Sequence, residues 1–313
     1  MAGYIGGVSQ PRFLFVRGGA IGDFIMTLPA IGAVRERWPE SHIEILGYPH
    51  IIELANGRYY ADATRSIEAR ALAQFFVSGG SLDSALVDYF GSFNVVVSYL
   101  YDPDEVFAEN IRRCGVRQLI TSSPRVTESP AAQHYCKPLE ALALYVDKPQ
   151  PRLFPSQADR DAAERFLAGY GSGRRIAVVH PGSGGEKKNW PAEKFGEICR
   201  WLMDSTSLLV IQGEADEEAG RQLVKILAGR EFRWAKGLKL VELAAVLQRS
   251  AVYVGNDSGI THLAVAVGAP TVAIFGPNSS SLWHPVGERV RVVSMGTDDV
   301  AQVRRAVDEV VAA

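Results

Sequence analysis

Short apolar runs alternate with helical patterns along most of the chain. Runs rich in branched and aromatic residues predict strands at 12–19, 42–48, 93–100, 174–185 (ending in a loop), 207–214, 251–257 and 270–277. Amphipathic spacing predicts helices at 30–40, 191–204, 240–250, 259–268 and 297–313. Strands that alternate with helices form parallel sheets covered on both faces. The pattern therefore predicts an α/β protein with two Rossmann-like, doubly wound domains facing a cleft.

The alternation breaks between residues 124 and 157, where six prolines surround one helical stretch, PLEALALYVD. Because proline favours extended chain, the segment DKPQPRLFPS (147–156) is interpreted as a linker. The 313 residues also exceed the roughly 250–300 residues at which a single core stops growing. We expect an N-terminal domain over residues 1–155 and a C-terminal domain over residues 156–313.

The composition is that of a soluble globular protein, with 47% hydrophobic residues, 22% charged residues and a formal net charge of −2. This balance gives no overall attraction to nucleic acid. Three scattered cysteines without a CxxC pair fit a reducing cytoplasm. The N-terminus lacks the features of a signal peptide, and no stretch reaches the ~20 apolar residues of a spanning helix. We expect a cytoplasmic protein, and docking on a membrane surface stays open.

Three glycine-rich loops hold the candidate chemistry, and the first is RGGAIGD (17–23). A dinucleotide fingerprint needs glycine where Arg17 stands, and no acid closes the second strand, so binding of NAD is disfavoured. Asp23 lies near a helix start, where aspartate commonly caps the helix. The residues alone leave open whether Asp23 is a cap or a catalytic group.

The second loop is HPGSGGEKKNWP (180–191). Ser183 and the backbone N–H groups of a flexible glycine loop can face an anion. The adjacent residues Lys187 and Lys188 can neutralise phosphate. The loop is not a nucleophile elbow, which needs glycine where Pro181 stands, and it is not a P-loop. Solvated lysines are the alternative interpretation, but the adjacent glycines favour phosphate.

The third loop is GNDSGITHLAVAVGAP (255–270). Asp257, Ser258 and Gly259 open a helix after a strand, and the N–H groups and dipole of such a helix start form an anion site. His262 lies one turn further along the same face. Capping by Asp257 or Ser258 with a packed His262 is the alternative, and capping and phosphate binding can coexist.

Together and in this order, the loops resemble glycosyltransferase family 9, the ADP-heptose:lipopolysaccharide heptosyltransferases. The matching stretches are GAIGDFIMTLPAI, HPGSGGEKKNWP and NDSGITHLAVAVGAPTVAIFGP, which span nearly the whole chain. The resemblance implies a GT-B fold with the donor nucleotide in the C-terminal domain, the acceptor mainly on the N-terminal domain, and the last helix (about 297–313) packing back on the N-terminal domain. It also implies an inverting, metal-independent transfer of heptose from ADP-heptose to a lipopolysaccharide core-type acceptor, with no cofactor.

The residues of the family map onto this chain. Asp23 matches the general base, and Lys188 matches the lysine that contacts phosphate. Glu217 matches the acid that holds the ribose hydroxyls, and Leu238 matches a residue that lines the pocket of the nucleotide base. The donor-binding set is then Ser183, Gly184, Lys188, Glu217, Leu238, Asp257, Ser258, Gly259 and His262. A positioned base is worth roughly 10²–10⁴-fold in rate, and a departing diphosphate needs positive charge and N–H groups.

An anionic, lipid-linked acceptor requires arginines on the first domain, and its lipid implies peripheral contact with the cytoplasmic face of the inner membrane. The acceptor candidates are Gly22, Arg58, Arg65 and Arg112, drawn from a wider set that also includes Arg70, Arg113 and Arg117. The stretch YYADATRSIEARALAQFF matches no acceptor pattern of the family. The donor sugar and the acceptor therefore stay open.

A D-x-D pattern in YDPDE (101–105) resembles the metal site of the other large glycosyltransferase fold. It follows a strand and contains Pro103, so it is interpreted as a turn. Four alternatives to the heptosyltransferase remain: a family member with another nucleotide sugar or acceptor, a nucleotide-binding protein without transfer activity, an NAD-dependent oxidoreductase, and a sugar-nucleotide epimerase. The Y-x-x-x-K pair of the epimerases is not evident.

Overall fold

The computed structural model describes residues 10–171, 173–213, 216–277 and 281–313. The chain divides into two compact units, which are described separately. The first unit takes the chain up to Gly19, then Ala30–Val126 and His134–Asp147. The second unit takes Ala20–Pro29, Thr127–Gln133 and Lys148–Ala313. The first nine residues of the N-terminal stretch in which we expect no signal peptide lie outside the described residues.

The first unit contains a five-stranded parallel sheet in the order β3-β2-β1-β4-β5. Its strands are β1 (Arg12–Arg17), β2 (His42–Gly47), β3 (Ala63–Ser66), β4 (Val95–Ser98) and β5 (Gln118–Thr121). The helices of this half of the chain are α1 (Ile21–Arg37), α2 (Pro49–Ile52), α3 (Ser84–Gly91), α4 (Val106–Arg113) and α5 (Ala131–Cys136). The core of the unit is built from β1, β2 and β4 packed against aromatic residues of α3 and α4.

The second unit contains a six-stranded parallel sheet in the order β11-β10-β9-β6-β7-β8. Its strands are β6 (Ile176–His180), β7 (Ser207–Ile211), β8 (Arg233–Ala235), β9 (Val252–Asn256), β10 (Thr271–Phe275) and β11 (Val290–Ser294). Its helices are α6 (Gln157–Leu167), α7 (Ala192–Met203), α8 (Glu217–Ile226), α9 (Leu240–Gln248), α10 (Gly259–Ala266) and α11 (Asp299–Ala312).

The strand order of the second sheet reverses between β6 and β9, where His180 pairs with Gly255. In open parallel sheets such a switch point leaves a crevice at the carboxyl ends of the strands, where ligands bind. The glycine loop that follows β6 and the helix start that follows β9 therefore lie side by side at this edge.

Helix α1 is the largest departure from the expected elements. It begins at Ile21 rather than near residue 30, and it continues through Pro29. Proline removes one backbone N–H from a helix interior, which ordinarily ends or kinks it. Here Phe24, Ile25 and Leu28 are all buried, so tertiary packing outweighs the local cost.

Helix α11 packs against β9, β10, β11 and α7 of the second unit. Its Val303, Val307 and Val310 are buried in the same core as the strands. The expected domain boundaries and the expected packing of this helix on the N-terminal domain stay predictions. Among the described helices, none is both long and apolar enough to cross a membrane.

Candidate functional site

The first turn of α1 belongs to the second unit and packs closely on the first turn of α10. A Cβ atom on Gly259 would lie 2.7 Å from Cβ of Ile21, and a Cβ atom on Gly22 would lie 3.1 Å from Cδ2 of His262. Such distances leave no room for a side chain at Gly259 and very little at Gly22. The two glycines therefore allow the helix starts to approach, and this brings the carboxylate of Asp23 into the neighbourhood of His262.

Asp23 is half-buried and is the third residue of α1. Its Oδ2 atom accepts a hydrogen bond of 2.8 Å from the backbone N–H of Ala20. The contact satisfies one backbone group at the helix start, as in the second half of a capping box. Capping is thus a feature of Asp23 in the structure, and it fixes the orientation of the carboxylate.

His262 is buried, and its pKa is lowered to about 4. Burial is the main cause, and the positive charge of Lys188 adds to it. The negative charges of Asp257 and Asp23 act in the opposite direction but are outweighed. At neutral pH the imidazole is therefore uncharged, and it serves as a hydrogen-bonding group rather than as a cation.

The start of α10 is capped by Ser258, whose Oγ accepts a hydrogen bond of 3.3 Å from the N–H of Thr261. Asp257 precedes the cap and is buried, and its Oδ2 lies 2.9 Å from Nζ of Lys188. Lys188 itself is half-exposed. The structure thus brings a lysine, a carboxylate and a helix N-terminus together at one point.

The glycine loop after β6 is held in shape by buried amide and carboxylate groups. Asn256 donates from Nδ2 to the carbonyl of Pro181 at 2.8 Å, and its Oδ1 accepts the N–H of Trp190 at 3.0 Å. One side chain on β9 therefore clamps both ends of the loop. The hydroxyl of Ser183 contacts the carbonyl of Gly185 and the amide oxygen of Asn189, so it shapes the loop from within.

Trp190, at the end of the loop, is buried and donates from Nε1 to Oδ2 of Asp299 at 2.7 Å. Lys194 lies 2.7 Å from the same carboxylate. Burial raises the pKa of Asp299, but the hydrogen bonds from Lys194, Gly296 and Trp190 outweigh it and keep the pKa below the usual range. The first residue of α11 thus anchors the loop to the body of the second unit.

A buried polar chain lies beneath the loop. His180, the last residue of β6, places its Nε2 atom 2.8 Å from Oδ2 of Asp216 and its Nδ1 atom 3.3 Å from Oγ of Ser258. Burial raises the pKa of Asp216, but the hydrogen bond and charge of His180 and the N–H of Gly213 outweigh it and lower the pKa overall.

The other sequence-predicted donor residues lie along the same sheet edge. Gly184 is exposed in the glycine loop, Glu217 is exposed as the first residue of α8, and Leu238 is half-buried between β8 and α9. Both Glu217 and Leu238 follow strands that continue the sheet beyond β6. The structure thus brings Lys188 into contact with Asp257 and places Glu217 and Leu238 further along the edge.

The acceptor candidates of the first unit lie on separate elements with separate partners. Arg58 donates to the carbonyls of Glu53 and Asn56 after α2. The guanidinium of Arg65, on β3, lies 3.9 Å from the centre of the Tyr89 ring. The remaining candidate, Arg112 on α4, is exposed and lies 3.0 Å from a carboxylate oxygen of Glu105.

The D-x-D segment begins with Asp102, whose carboxylate accepts the N–H groups of Phe107 and Ala108 at 3.2 and 2.9 Å. It therefore caps the start of α4, and the segment forms the turn between β4 and that helix.

Arg17, the residue that interrupts the dinucleotide fingerprint, is buried, and its guanidinium lies 4.5 Å from the centre of the Tyr135 ring.

Three buried polar residues of this edge were not predicted from the sequence: His180, Asp216 and Asn256. His180 stands directly before the glycine loop, and Asn256 stands directly before Asp257, so each adjoins a motif that was identified. Asp216 lies in the acidic run GEADEE, where nothing distinguishes it from its neighbours. Only the tertiary structure shows that these three side chains are buried together.

Known proteins similar to this chain include several heptosyltransferases. The family model described as glycosyltransferase family 9 (heptosyltransferase) matches residues 63–309. Lipopolysaccharide heptosyltransferase 2 of Escherichia coli (strain K12) is 25% identical over 310 residues, covering 88% of this chain and 86% of that protein. The solved structure of E. coli ADP-heptose lps heptosyltransferase II superposes with a TM-score of 0.76 at 18% identity, covering 96% of this chain and 98% of that one. The structure of E. coli heptosyltransferase WaaC with ADP superposes with a TM-score of 0.71 at 16% identity, covering 96% of this chain and 99% of that one.

The two doubly wound parallel sheets and the likeness to these structures show a fold of the GT-B type. Because the family model matches well over half of its length, the chain belongs to glycosyltransferase family 9, the heptosyltransferases. The fold class, the family and the enzyme class predicted from the sequence are confirmed. The match contains the second and third loops, and the loop with Asp23 precedes it.

Gly182 gives a first test of the site. A Cβ atom there would lie 2.1 Å from Oδ1 of Asp216, whereas a Cβ atom on Gly184 would meet nothing within 4 Å. We expect Gly182→Ala to lower the free energy of unfolding by about 1–3 kcal/mol, because the buried carboxylate must move. The matched Gly184→Ala variant should stay within about 0.5 kcal/mol of the parent. Urea denaturation measures both, and equal stabilities would contradict the close packing.

His262 gives a second test. Between pH 6.5 and about 4 the unfolded chain binds a proton on this residue that the folded chain does not bind, so the free energy of unfolding falls as the pH falls. From about pH 7.5 to about pH 5 the contribution is about 2 kcal/mol. We expect His262→Gln to lose less stability than the parent over this range, as measured by urea denaturation. Parallel pH profiles of the two proteins would show that His262 is not buried in its neutral form.

Proposed function

We propose that the protein is an inverting, metal-independent heptosyltransferase that transfers a heptose from ADP-heptose to a lipopolysaccharide core-type acceptor. The observation that carries the proposal is the contact between the starts of α1 and α10, which gathers Asp23, Asp257 and Lys188 around the neutral His262. A relative named lipopolysaccharide heptosyltransferase 2 and a similar structure that contains ADP support the choice of donor and acceptor.

The donor is expected along the carboxyl edge of the second sheet. The diphosphate lies at the start of α10, where N–H groups and the helix dipole favour negative charge. The glycine loop with Ser183 and Gly184 covers it, and Lys188 supplies a cation. Glu217 after β7 then holds the ribose, and Leu238 after β8 lines the base pocket. Strand spacing supports this arrangement, because the three steps from β9 to β8 cover about 14 Å, comparable to the length of a nucleotide diphosphate.

Asp23 is proposed as the general base. Its carboxylate removes the proton from the acceptor hydroxyl while the oxygen attacks the anomeric carbon from the face opposite the diphosphate. The bond between that carbon and the diphosphate breaks, and its electron pair leaves with the diphosphate. The hydrogen bond from Ala20 supports this role, because it holds the carboxylate in one orientation before the acceptor arrives.

The departing diphosphate gains negative charge, and this charge has to be stabilised without reorganisation of the site. Lys188 and the first turn of α10 supply positive charge and N–H groups at the same point, which supports a mechanism without a metal ion. In the structure Lys188 is paired with Asp257, so the diphosphate competes with a carboxylate for the lysine. The neutral His262 offers a hydrogen bond there without adding a charge.

The acceptor is proposed to bind through arginines of the first unit and Gly22. Arg112 is the most readily recruited, because its ion pair with Glu105 is exposed and such pairs contribute only about 0–1 kcal/mol. Arg58 and Arg65 are more firmly engaged by carbonyl groups and by an aromatic ring. A lipid-linked acceptor also places the enzyme in the cytoplasm, in peripheral contact with the inner membrane.

The activity is tested by incubating the protein with ADP-heptose and a heptose-deficient lipopolysaccharide. We expect release of ADP, a mass increase of one heptose on the acceptor, and inverted configuration at the anomeric carbon by NMR. The rate should be the same with and without EDTA. Thermal stabilisation by UDP, GDP or NAD but not by ADP would contradict the proposed donor.

Asp23→Asn tests the base. The amide oxygen of asparagine still accepts the N–H of Ala20, so the fold and the donor site should be preserved. We expect kcat to fall by about 10²–10⁴-fold, with unchanged ADP affinity by calorimetry. A loss of tenfold or less would count against the role of Asp23.

Lys188→Ala tests the contact with the diphosphate, and Lys187→Ala is the matched control because Lys187 is its exposed neighbour. Removing Lys188 takes away a charged contact and leaves Asp257 to repel the ligand. We expect the Kd for ADP to rise by about 10- to 100-fold in Lys188→Ala. The Lys187→Ala variant should bind like the parent, and equal losses in both would indicate only a general charge effect.

A further inference from the structure

A buried chain runs from Asp216 through His180 to Ser258. Ser258 belongs to the donor-binding set, but Asp216 and His180 have no place in the donor and base assignments above. All three residues belong to the second unit, and they connect the start of α8, the end of β6 and the start of α10. His180 is 2% exposed and Asp216 is 8% exposed. Gly182 has no side chain where the carboxylate of Asp216 packs, so the loop itself is fitted to this chain.

Asp216 determines which nitrogen of His180 bears a proton. The lowered pKa of Asp216 means that it is ionised at neutral pH, and a carboxylate can only accept hydrogen bonds. The Nε2 atom of His180, 2.8 Å away, therefore bears a hydrogen. In a neutral imidazole the other nitrogen, Nδ1, is then an acceptor that faces Ser258.

Ser258 has one hydroxyl proton to give. While His180 is neutral, that proton goes to Nδ1, and the lone pairs of the oxygen accept the N–H of Thr261. When His180 is protonated, Nδ1 becomes the donor to the same oxygen, and the serine proton can turn toward an anion at the helix start. The neighbouring hydroxyl of Thr261 does not compete, because it donates to the carbonyl of Asn256.

We propose that His180, held by Asp216, is a positioning residue for the nucleotide diphosphate: it takes up a proton when the diphosphate binds, and so turns the Ser258 hydroxyl toward the ligand. The proton comes from solvent and remains on Nδ1 of His180 while the ligand is bound. The inference rests on the proposed nucleotide site and adds a proton to its binding equilibrium.

Two other titratable groups of the neighbouring elements do not account for such an uptake. Burial raises the pKa of Tyr253 on β9, so this residue stays protonated. His262 on α10 has a pKa of about 4 and stays neutral. On the glycine loop and after β9, Lys188 and Asp257 form an ion pair that the diphosphate would separate, so a variant without His180 has to distinguish uptake by Asp257 from uptake by His180.

The test is titration calorimetry with ADP-ribose, whose diphosphate has no group that titrates near neutral pH. Binding is measured in buffers of different ionisation enthalpy over about pH 6 to 9, which gives the number of protons taken up per ligand. We expect the net uptake to approach one proton per ligand. The affinity should then fall as the pH rises, by up to about tenfold per pH unit where the coupling is complete.

Three variants separate this role from a structural one. His180→Gln and Ser258→Ala should bind ADP-ribose without proton uptake, whereas Ser258→Thr, which keeps the hydroxyl, should retain the uptake. A purely structural role of His180 would weaken binding in the variants and leave the proton count as it is in the parent. Binding by the parent without uptake at any pH, or uptake that persists in His180→Gln, would overturn the inference and leave the nucleotide site standing. Failure of the parent to bind either ADP or ADP-ribose would instead overturn the proposed function.

Discussion

The close contact between two helix starts is the constraint on which the candidate site depends. Gly22 and Gly259 lack side chains at the point where α1 and α10 meet. With any larger residue at Gly259 the two helix ends would separate, and Asp23 would move away from the groups that follow β9. A carboxylate from the beginning of the chain and a helix start from near its end are therefore brought together by the absence of two side chains.

The charges gathered by this contact sum to −1, with two carboxylates and one lysine. Asp23 and Asp257 are acidic, Lys188 is basic, and burial holds His262 in its neutral form. A protonated His262 would be a buried cation, and its lowered pKa shows that Asp257 and Asp23 do not compensate for the cost of burying this charge. The neutral imidazole lets the site present one strong cation and the N–H groups of a helix, with the carboxylate of Asp23 held separately by its hydrogen bond from Ala20.

The sequence predicts those parts of the structure that depend on local pattern. The long buried strands β1, β6, β9 and β10 are clear as apolar runs, and the three loops are clear as glycine-rich turns. The short edge strands β3 and β8 were not predicted, because three or four half-buried residues have no distinct periodicity.

The buried polar chain could not be predicted for a different reason. Asp216 and His180 are 36 positions apart, and only the pairing of β6 with β7 brings the segments that follow these strands together. The cap formed by Asp23 could be predicted, but its proximity to His262 could not, because this depends on the packing of two helices more than two hundred residues apart.

The ion pair between Lys188 and Asp257 has a consequence for discrimination among anions. In the structure the lysine is paired with a buried carboxylate, so inorganic phosphate or chloride finds little net attraction there. At the proposed donor site, a ligand has to compensate for the loss of this pair with contacts elsewhere along the sheet edge, which a base and a ribose would provide and a small ion would not. The ion pair would thus favour a complete nucleotide over a small anion.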